Sequence, residues 1–172
     1  LGSDLRITNY GGGNTSAKIR MPDPLTGEEV DVLWVKGSGG DIGSMKMDGF
    51  ATLYLDKLHA LKKRYRGLEH EDEMVAYFPH CTFNLNPRAT SIDTPPHCFT
   101  PYRHIDHMHA DALIAFAAAK NGEALITQAF GDEIGWIPWM RRGFELGLRC
   151  EALCRANPEM KGLIFGSHGL VN

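Results

Sequence analysis

Residues 104–122, HIDHMHADALIAFAAAKNG, decide the fold class. The stretch opens as an extended segment, in which residues i and i+2 share a face. It passes without a linker into an Ala-rich helix over 110–119 that stops at Asn121-Gly122. A strand that feeds straight into a helix belongs to an α/β protein, and the alternation recurs outward from it. Val30 to Val35 reads as a strong strand. Asp48 to Arg66 carries apolar residues at Phe50, Leu53, Tyr54, Leu58 and Leu61, a helical period that Gly67 ends. Glu69 to Tyr77 predicts a short helix whose Glu71, Asp72 and Glu73 form a solvated face. Leu125 to Ala129 predicts a short strand, Met140 to Ala156 a helix, and Gly162 to Phe165 a strand running into Gly166-Ser167-His168-Gly169. Residues 5–19 read as strand, tight turn at Gly11-Gly12-Gly13, and strand, followed by a turn-rich loop over Met21–Gly27. Pro79 to Tyr102 holds five prolines and reads mainly as loop, of a length often tied to function. The helices are too few and too short for a regular βαβ repeat. The expected architecture is a three-layer α/β/α sandwich around a mixed, largely antiparallel sheet.

Composition narrows the function. The 172 residues are 43% hydrophobic and 23% charged, enough for one globular domain with its own core. Eighteen basic against twenty-one acidic residues lack the basic footprint of a nucleic-acid binder, and no polybasic run points to a membrane. No signal peptide and no apolar run of transmembrane length is present, so a cytoplasmic location is expected. Cys81, Cys98, Cys150 and Cys154 form no CxxC pair and read as reduced thiols in or near the core. The chain opens on Leu1 and stops four residues after His168, so residues 1–172 are read as a single domain from a longer chain.

Eight histidines are the unusual count, and three of them fall between 104 and 109. On an extended segment His107 and His109 reach one ion together, and His168 at a strand end is a third donor. Three neutral imidazoles with an open position are the arrangement of a catalytic zinc. His104 is left unassigned, Asp106 points away from the pair, and His59, His70 and His80 read as surface or helix-face residues. Two Gly-rich segments can cradle a phosphate through backbone amides and hydroxyls: Gly11-Gly12-Gly13-Asn14-Thr15-Ser16, and Lys36-Gly37-Ser38-Gly39-Gly40-Asp41. Lys18 follows the first and is a candidate source of charge. In the proline-rich loop, Thr90 and Ser91 are phosphate donors and Asp93 is a carboxylate able to move a proton; the same residues also make good turn chemistry.

The order of these motifs resembles the class II aldolase/adducin family. That family has a Gly-Asn-x-Ser turn, a Ser-Gly loop, a Pro-Ser-Ser-Glu segment with His four residues on, His-x-His, and a final His-Gly at a strand end. The corresponding residues here are Gly13-Asn14-Thr15-Ser16, Ser38-Gly39, Asp93 with His97, His107-Met108-His109, and His168-Gly169. The strings GGGNTSAK, WVKGSGGD, ATSIDTPPH and HIDHMHADAL look closest to the aldolase part of bifunctional rhamnulose-1-phosphate aldolase/alcohol dehydrogenases. The resemblance implies zinc held by His107, His109 and His168, which polarises the ketone during retro-aldol cleavage of L-rhamnulose 1-phosphate to dihydroxyacetone phosphate and L-lactaldehyde. It implies Gly13, Asn14, Ser16, Ser38, Gly39 and Ser91 around the phosphate, and Asp93 as acid/base. Asp93 departs from the family's Glu by one methylene, and Thr90-Ser91-Ile92 replaces its Pro-Ser-Ser. It also implies a homo-oligomer, with NAD only where a C-terminal dehydrogenase domain exists. Related alternatives are a phosphopentulose 4-epimerase or dehydratase with the same pieces. A non-catalytic adducin-like module should lack the histidines, and a structural zinc would need a fourth protein ligand.

Overall fold

The computed structural model describes residues 1–9, 12–85 and 88–172; Gly11 and Pro87, named above, lie outside the described residues. The strands are β1 (Asn14–Pro22), β2 (Glu29–Lys36), β3 (Phe50–Tyr54), β4 (His104–Met108), β5 (Ile134–Ile137), β6 (Gly162–Phe165) and β7 (Gly169–Val171). Among the described residues they form one seven-stranded sheet in the order β3-β2-β1-β4-β7-β6-β5. Only β5 and β6 pair in parallel; the other pairs are antiparallel. The α-helices are α1 (Leu55–Ala60), α2 (Glu71–Tyr77), α3 (Thr94–Phe99), α4 (Asp111–Ala118), α5 (Gly122–Phe130) and α6 (Phe144–Ala156).

The sheet is mixed and covered on both faces, as the alternation of strand and helix predicts. β6 shows why. Leu163 and Phe165 pack with Leu146, Cys150 and Cys154 of α6, while Ile164 between them packs with Ala117 of α4 and Ile126 of α5. A strand with period-2 side chains and no polar face must be buried on both sides, which makes three layers. At the other end Leu33, Val35, Ala51 and Leu53 form a second core with Leu58, Met74, Phe78, Phe99 and Phe144. All four cysteines are free and buried. β4 sits mid-sheet, with His107 opposite Asn14 on one side and Val171 on the other, so the chemistry lies where the two halves meet.

Several elements differ from expectation. Asp48–Arg66 is not one helix: a 3₁₀ turn (Met47–Gly49) leads into β3 and only then α1. Phe50, Leu53 and Tyr54 fit a helical period, but Ala51 and Leu53 also alternate, and pairing with β2 decides in favour of strand. Leu125–Ala129 belongs to helix α5, because a five-residue apolar run is ambiguous and burial of Ile126 against Ala117 and Ile164 needs one helical face. The strand that follows is β5, where Gly135 interrupts the apolar run; a Cβ there would lie 2.4 Å from Met160 Sδ. Residues 5–7 are turn and residues 8 and 9 irregular, not strand. Within the proline-rich loop lies α3, fully buried, with Pro95 and Pro96 in the first turn where missing amides do no harm. Helix α6 starts at Phe144 rather than Met140. The acidic run is not wholly solvated: Glu71 is 1% exposed.

Candidate active site

His107 is carried by β4 and His109 stands just past its end. The tight turn between β6 and β7 supplies His168. Ser167 holds a left-handed backbone (φ 58°), with its amide donating to the Ala117 carbonyl at 2.7 Å, and this aims the next side chain at β4. The three Nε2 atoms converge: 3.0 Å between His107 and His168, 3.0 Å between His107 and His109, and 3.1 Å between His109 and His168. Close backbone passage makes room for the rings. A Cβ on Gly12 would lie 2.3 Å from His109 Nδ1, and one on Gly169 would lie 3.0 Å from His109 Cδ2.

The chemistry of this donor set fits a divalent cation. His107 Nδ1 donates to the Leu170 carbonyl at 2.9 Å, so its Nε2 carries a lone pair. Arg142 Nη2 donates to His168 Nε2 at 2.7 Å, so that nitrogen is a lone pair as well. Two lone pairs facing each other at 3.0 Å repel, and a single proton on His109 cannot bridge both. Burial pushes His107 down to about 4 and His168 down to about 3, with the neighbouring imidazole and guanidinium adding to the effect on His168; burial lowers His109 too. All three are therefore neutral at pH 7, the form that ligates metal. Among the described residues this trio is the group of His, Cys, Asp and Glu side chains able to hold an ion, and Asp93 is not a member of it.

The histidines border a cavity of about 710 Å³ whose walls are residues 12–14, 36–40 and 90–93, with Asn9, Val75 and Arg142. Ser38, Gly39 and Gly40 are exposed along one wall. The Ser38 amide donates to the Ala89 carbonyl at 2.8 Å, which pins the segment bearing Thr90 and Ser91 against that wall. Lys36 is 6% exposed, with Nζ donating to the Gly39 carbonyl at 3.1 Å, and no carboxylate pairs with it among the described residues. Burial lowers its pKa, opposed by Asp93 and Asp41. An ammonium held this way favours an anionic ligand over solvent. Asp93, 8% exposed, faces the cavity; its Oδ2 accepts from Asn14 Nδ2 at 3.0 Å, Ser91 Oγ at 3.4 Å and Arg142 Nη1 at 3.5 Å.

Gly13, Asn14, Ser38, Gly39, Ser91, Asp93, His107 and His109 thus line one cavity, with His168 closing the histidine triangle at its edge. Ser16 does not join them. It is buried, its hydroxyl 2.7 Å from His97 Nδ1 and 3.4 Å from the Ile105 carbonyl. Lys18 is no source of charge for the cavity either: its Nζ donates to the Thr100 carbonyl, and burial lowers it to about 8. Asp106 accepts from Thr15 Oγ1, on the face away from the pair. His104 and His80 are exposed, His70 pairs with Glu73 at 2.8 Å, and His59 packs on Phe99. Three residues of the site escape sequence reading: Lys36 as a cavity cation, Arg142, and Glu71. The Glu71 carboxylate accepts the Phe144 amide, and the Glu145 amide at 3.3 Å, capping the helix that begins two residues after Arg142. One signal was available. Arg141-Arg142 directly ahead of a helix opposes the macrodipole, and such a misfit calls for anionic partners nearby.

Residues 3–172 match the model of the class II aldolase and adducin N-terminal domain. The N-terminal class II aldolase domain of a conserved protein from Thermoplasma acidophilum is 28% identical, with a TM-score of 0.85 over 100% of this chain and 78% of that one. An L-fuculose 1-phosphate aldolase shares the fold at 15% identity and a TM-score of 0.59, over 98% of this chain and 66% of the other. The uncharacterized oxidoreductase YuxG of Bacillus subtilis (strain 168) is 39% identical over 171 residues; these are 99% of this chain and 24% of that protein, so the chain spans about a quarter of this relative. With nearly its whole length matched, the chain belongs to the class II aldolase and adducin N-terminal domain family.

Proposed function

We propose that this domain is a zinc-dependent aldolase that cleaves a ketose 1-phosphate, L-rhamnulose 1-phosphate in particular, to dihydroxyacetone phosphate and L-lactaldehyde. The observation that carries the reading is the pair of fixed imidazole lone pairs, facing each other at 3.0 Å at the edge of a cavity that also holds a carboxylate and a buried ammonium. His107, His109 and His168 would hold the zinc, which when bound supplies a Lewis acid for the substrate carbonyl. Ser38, Gly39 and Ser91, with Gly13 and Asn14, surround the phosphate, and Lys36 meets its charge. In cleavage the C3–C4 bond breaks with its electron pair passing to C3, the C4 hydroxyl becomes the aldehyde carbonyl and gives its proton to the Asp93 carboxylate, and Asp93 then returns that proton to C3. Asn14 and Arg142 hold Asp93 Oδ2 toward the cavity for that transfer. Small sugar phosphates are the ligand class and a homo-oligomer is the assembled form. No helix of the described residues is long and apolar enough to cross a membrane. The reading gives this domain no part in NAD chemistry; any such step in a longer relative belongs to its other sequence.

A panel of ketose 1-phosphates tested on the full-length protein, with and without chelator, examines the proposal. Cleavage should need metal and favour one ketose 1-phosphate. His107→Ala should lose both bound zinc and cleavage, and full activity without metal by elemental analysis refutes the assignment. Asp93→Asn should keep the metal while slowing proton exchange at the donor carbon; unchanged exchange rejects the role given to Asp93.

A further inference from the structure

Arg142 makes two contacts that a single bound ion sets against each other. Its Nη2 donates to His168 Nε2 at 2.7 Å, and its Nη1 lies 3.5 Å from Asp93 Oδ2. The His168 lone pair that accepts from the guanidinium is the one a cation at the triangle needs, since His107 Nε2 lies only 3.0 Å from it. A nitrogen with one lone pair serves one of the two partners. A divalent cation beside the guanidinium also repels it at close range. We infer that Arg142 is an internal competitor of the metal at His168, and that ion binding hands its guanidinium over to Asp93 and the cavity.

This inference rests on the histidine triangle being the metal centre proposed above. It goes further by giving metal affinity a second determinant outside the ligands. The turn that carries Arg142 is fixed, not free to drift. Gly143 follows it with φ +133°, and the two amides after that are capped by the buried carboxylate of Glu71. Arg141 pairs with Asp72 on the same α2 turn. Only the Arg142 side chain, 43% exposed, has room to swing. The competition ties two halves of the site together. Without the hand-over the guanidinium is shared between His168 and Asp93; after it, Asp93 has the cation to itself and the proton-transfer group is held in place when the ion is.

The test is cobalt(II) titration of the full-length protein, read by the visible absorption of bound cobalt and by competition with a chelator, so no turnover is involved. Arg142→Ala and Arg142→Met should each bind cobalt about tenfold more tightly than the parent, equivalent to about 1.4 kcal/mol. The methionine variant keeps the apolar stem and guards against loss of fold. Arg142→Lys retains the charge without the planar fork and should fall between. Equal or weaker binding by both uncharged variants overturns the inference and leaves the metal centre standing. A parent protein that takes up no cobalt overturns both.

Discussion

The carboxylate of Glu71 offers the sharpest test of how the fold holds the site. Glu71 is 1% exposed and lies against the first turn of α6. One oxygen accepts the Phe144 amide; the other accepts the Glu145 amide at 3.3 Å and the Tyr65 hydroxyl at 3.3 Å. Glu71→Ala strips all three donors of their acceptor at once. Phe144 is 1% exposed, so water cannot replace the lost partner of its amide, and an unmade buried hydrogen bond costs about 1–3 kcal/mol. Loss of an anion at a helix N-terminus in partly buried geometry adds up to about 2 kcal/mol. The Glu145 amide is nearer solvent and contributes less. A total of about 3 kcal/mol is expected, which for a domain of this size lowers the melting temperature by about 6–12 °C. Glu71→Gln keeps one acceptor oxygen but turns an NH₂ toward the second amide, and should cost about half as much. Thermal unfolding followed by circular dichroism, at fixed metal and protein concentration, measures both. If the alanine variant melts within about 2 °C of the parent, the cap is not what anchors α6. Gly143→Ala probes the same contact from the other side, since a Cβ there would lie 2.1 Å from Glu71 Oε1 on a backbone with φ +133°.

Burial holds His97 down to about 3 and His107 down to about 4, so both are neutral when folded and protonate at about 6.5 when unfolded. The unfolded chain then binds more protons below that pH. Stability in chelator should be flat above pH 7 and fall as pH drops from about 6.5 toward 4, by up to about 2.7 kcal/mol per pH unit for the two groups; a urea midpoint unchanged between pH 7.5 and 5.5 contradicts the neutral assignment. Ser16→Ala should lower stability by about 1–3 kcal/mol, because it leaves the buried His97 Nδ1 without its 2.7 Å partner, while the KM for a sugar phosphate stays near the parent value. Ser38→Ala should do the reverse, and matching KM changes in the two variants would show that Ser16 reaches the phosphate after all. Gly12→Ala places a Cβ 2.3 Å from His109 Nδ1 and should weaken zinc binding at least ~10-fold by tilting that ring, as measured by chelator competition; wild-type affinity would mean the ring has slack.

The site divides by how its parts are specified. His107, His109 and His168 are legible because their geometry is local: an i, i+2 pair on a strand, and a strand end followed by glycine. Asn14 at the start of β1, and Ser38, Gly39 and Ser91 in segments without regular structure, lie in Gly- or Ser-containing motifs and line one cavity. Ser16 shows the limit of that reading. It sits in the right motif, but two residues along β1 from Asn14 its side chain meets His97 of α3, and only the packing of that helix decides this. β3 and α5 fail alike, since short apolar runs fit both periods until a partner is known. The charges are illegible for a deeper reason. Lys36 acts through a backbone carbonyl, and Arg142 and Glu71 act on partners 26 to 73 residues away, so the misplaced Arg141-Arg142 pair ahead of α6 is the one local mark among them. Asp93 belongs to both groups. Its place four residues before His97 is in the sequence, yet what it can do is set by Asn14 across the sheet and Arg142 ahead of α6. A guanidinium that leaves His168 for Asp93 would hold that carboxylate in place when the ion is bound. In that case Arg142→Ala should impair proton exchange at the donor carbon even while it tightens metal binding, a split that a purely structural arginine would not produce.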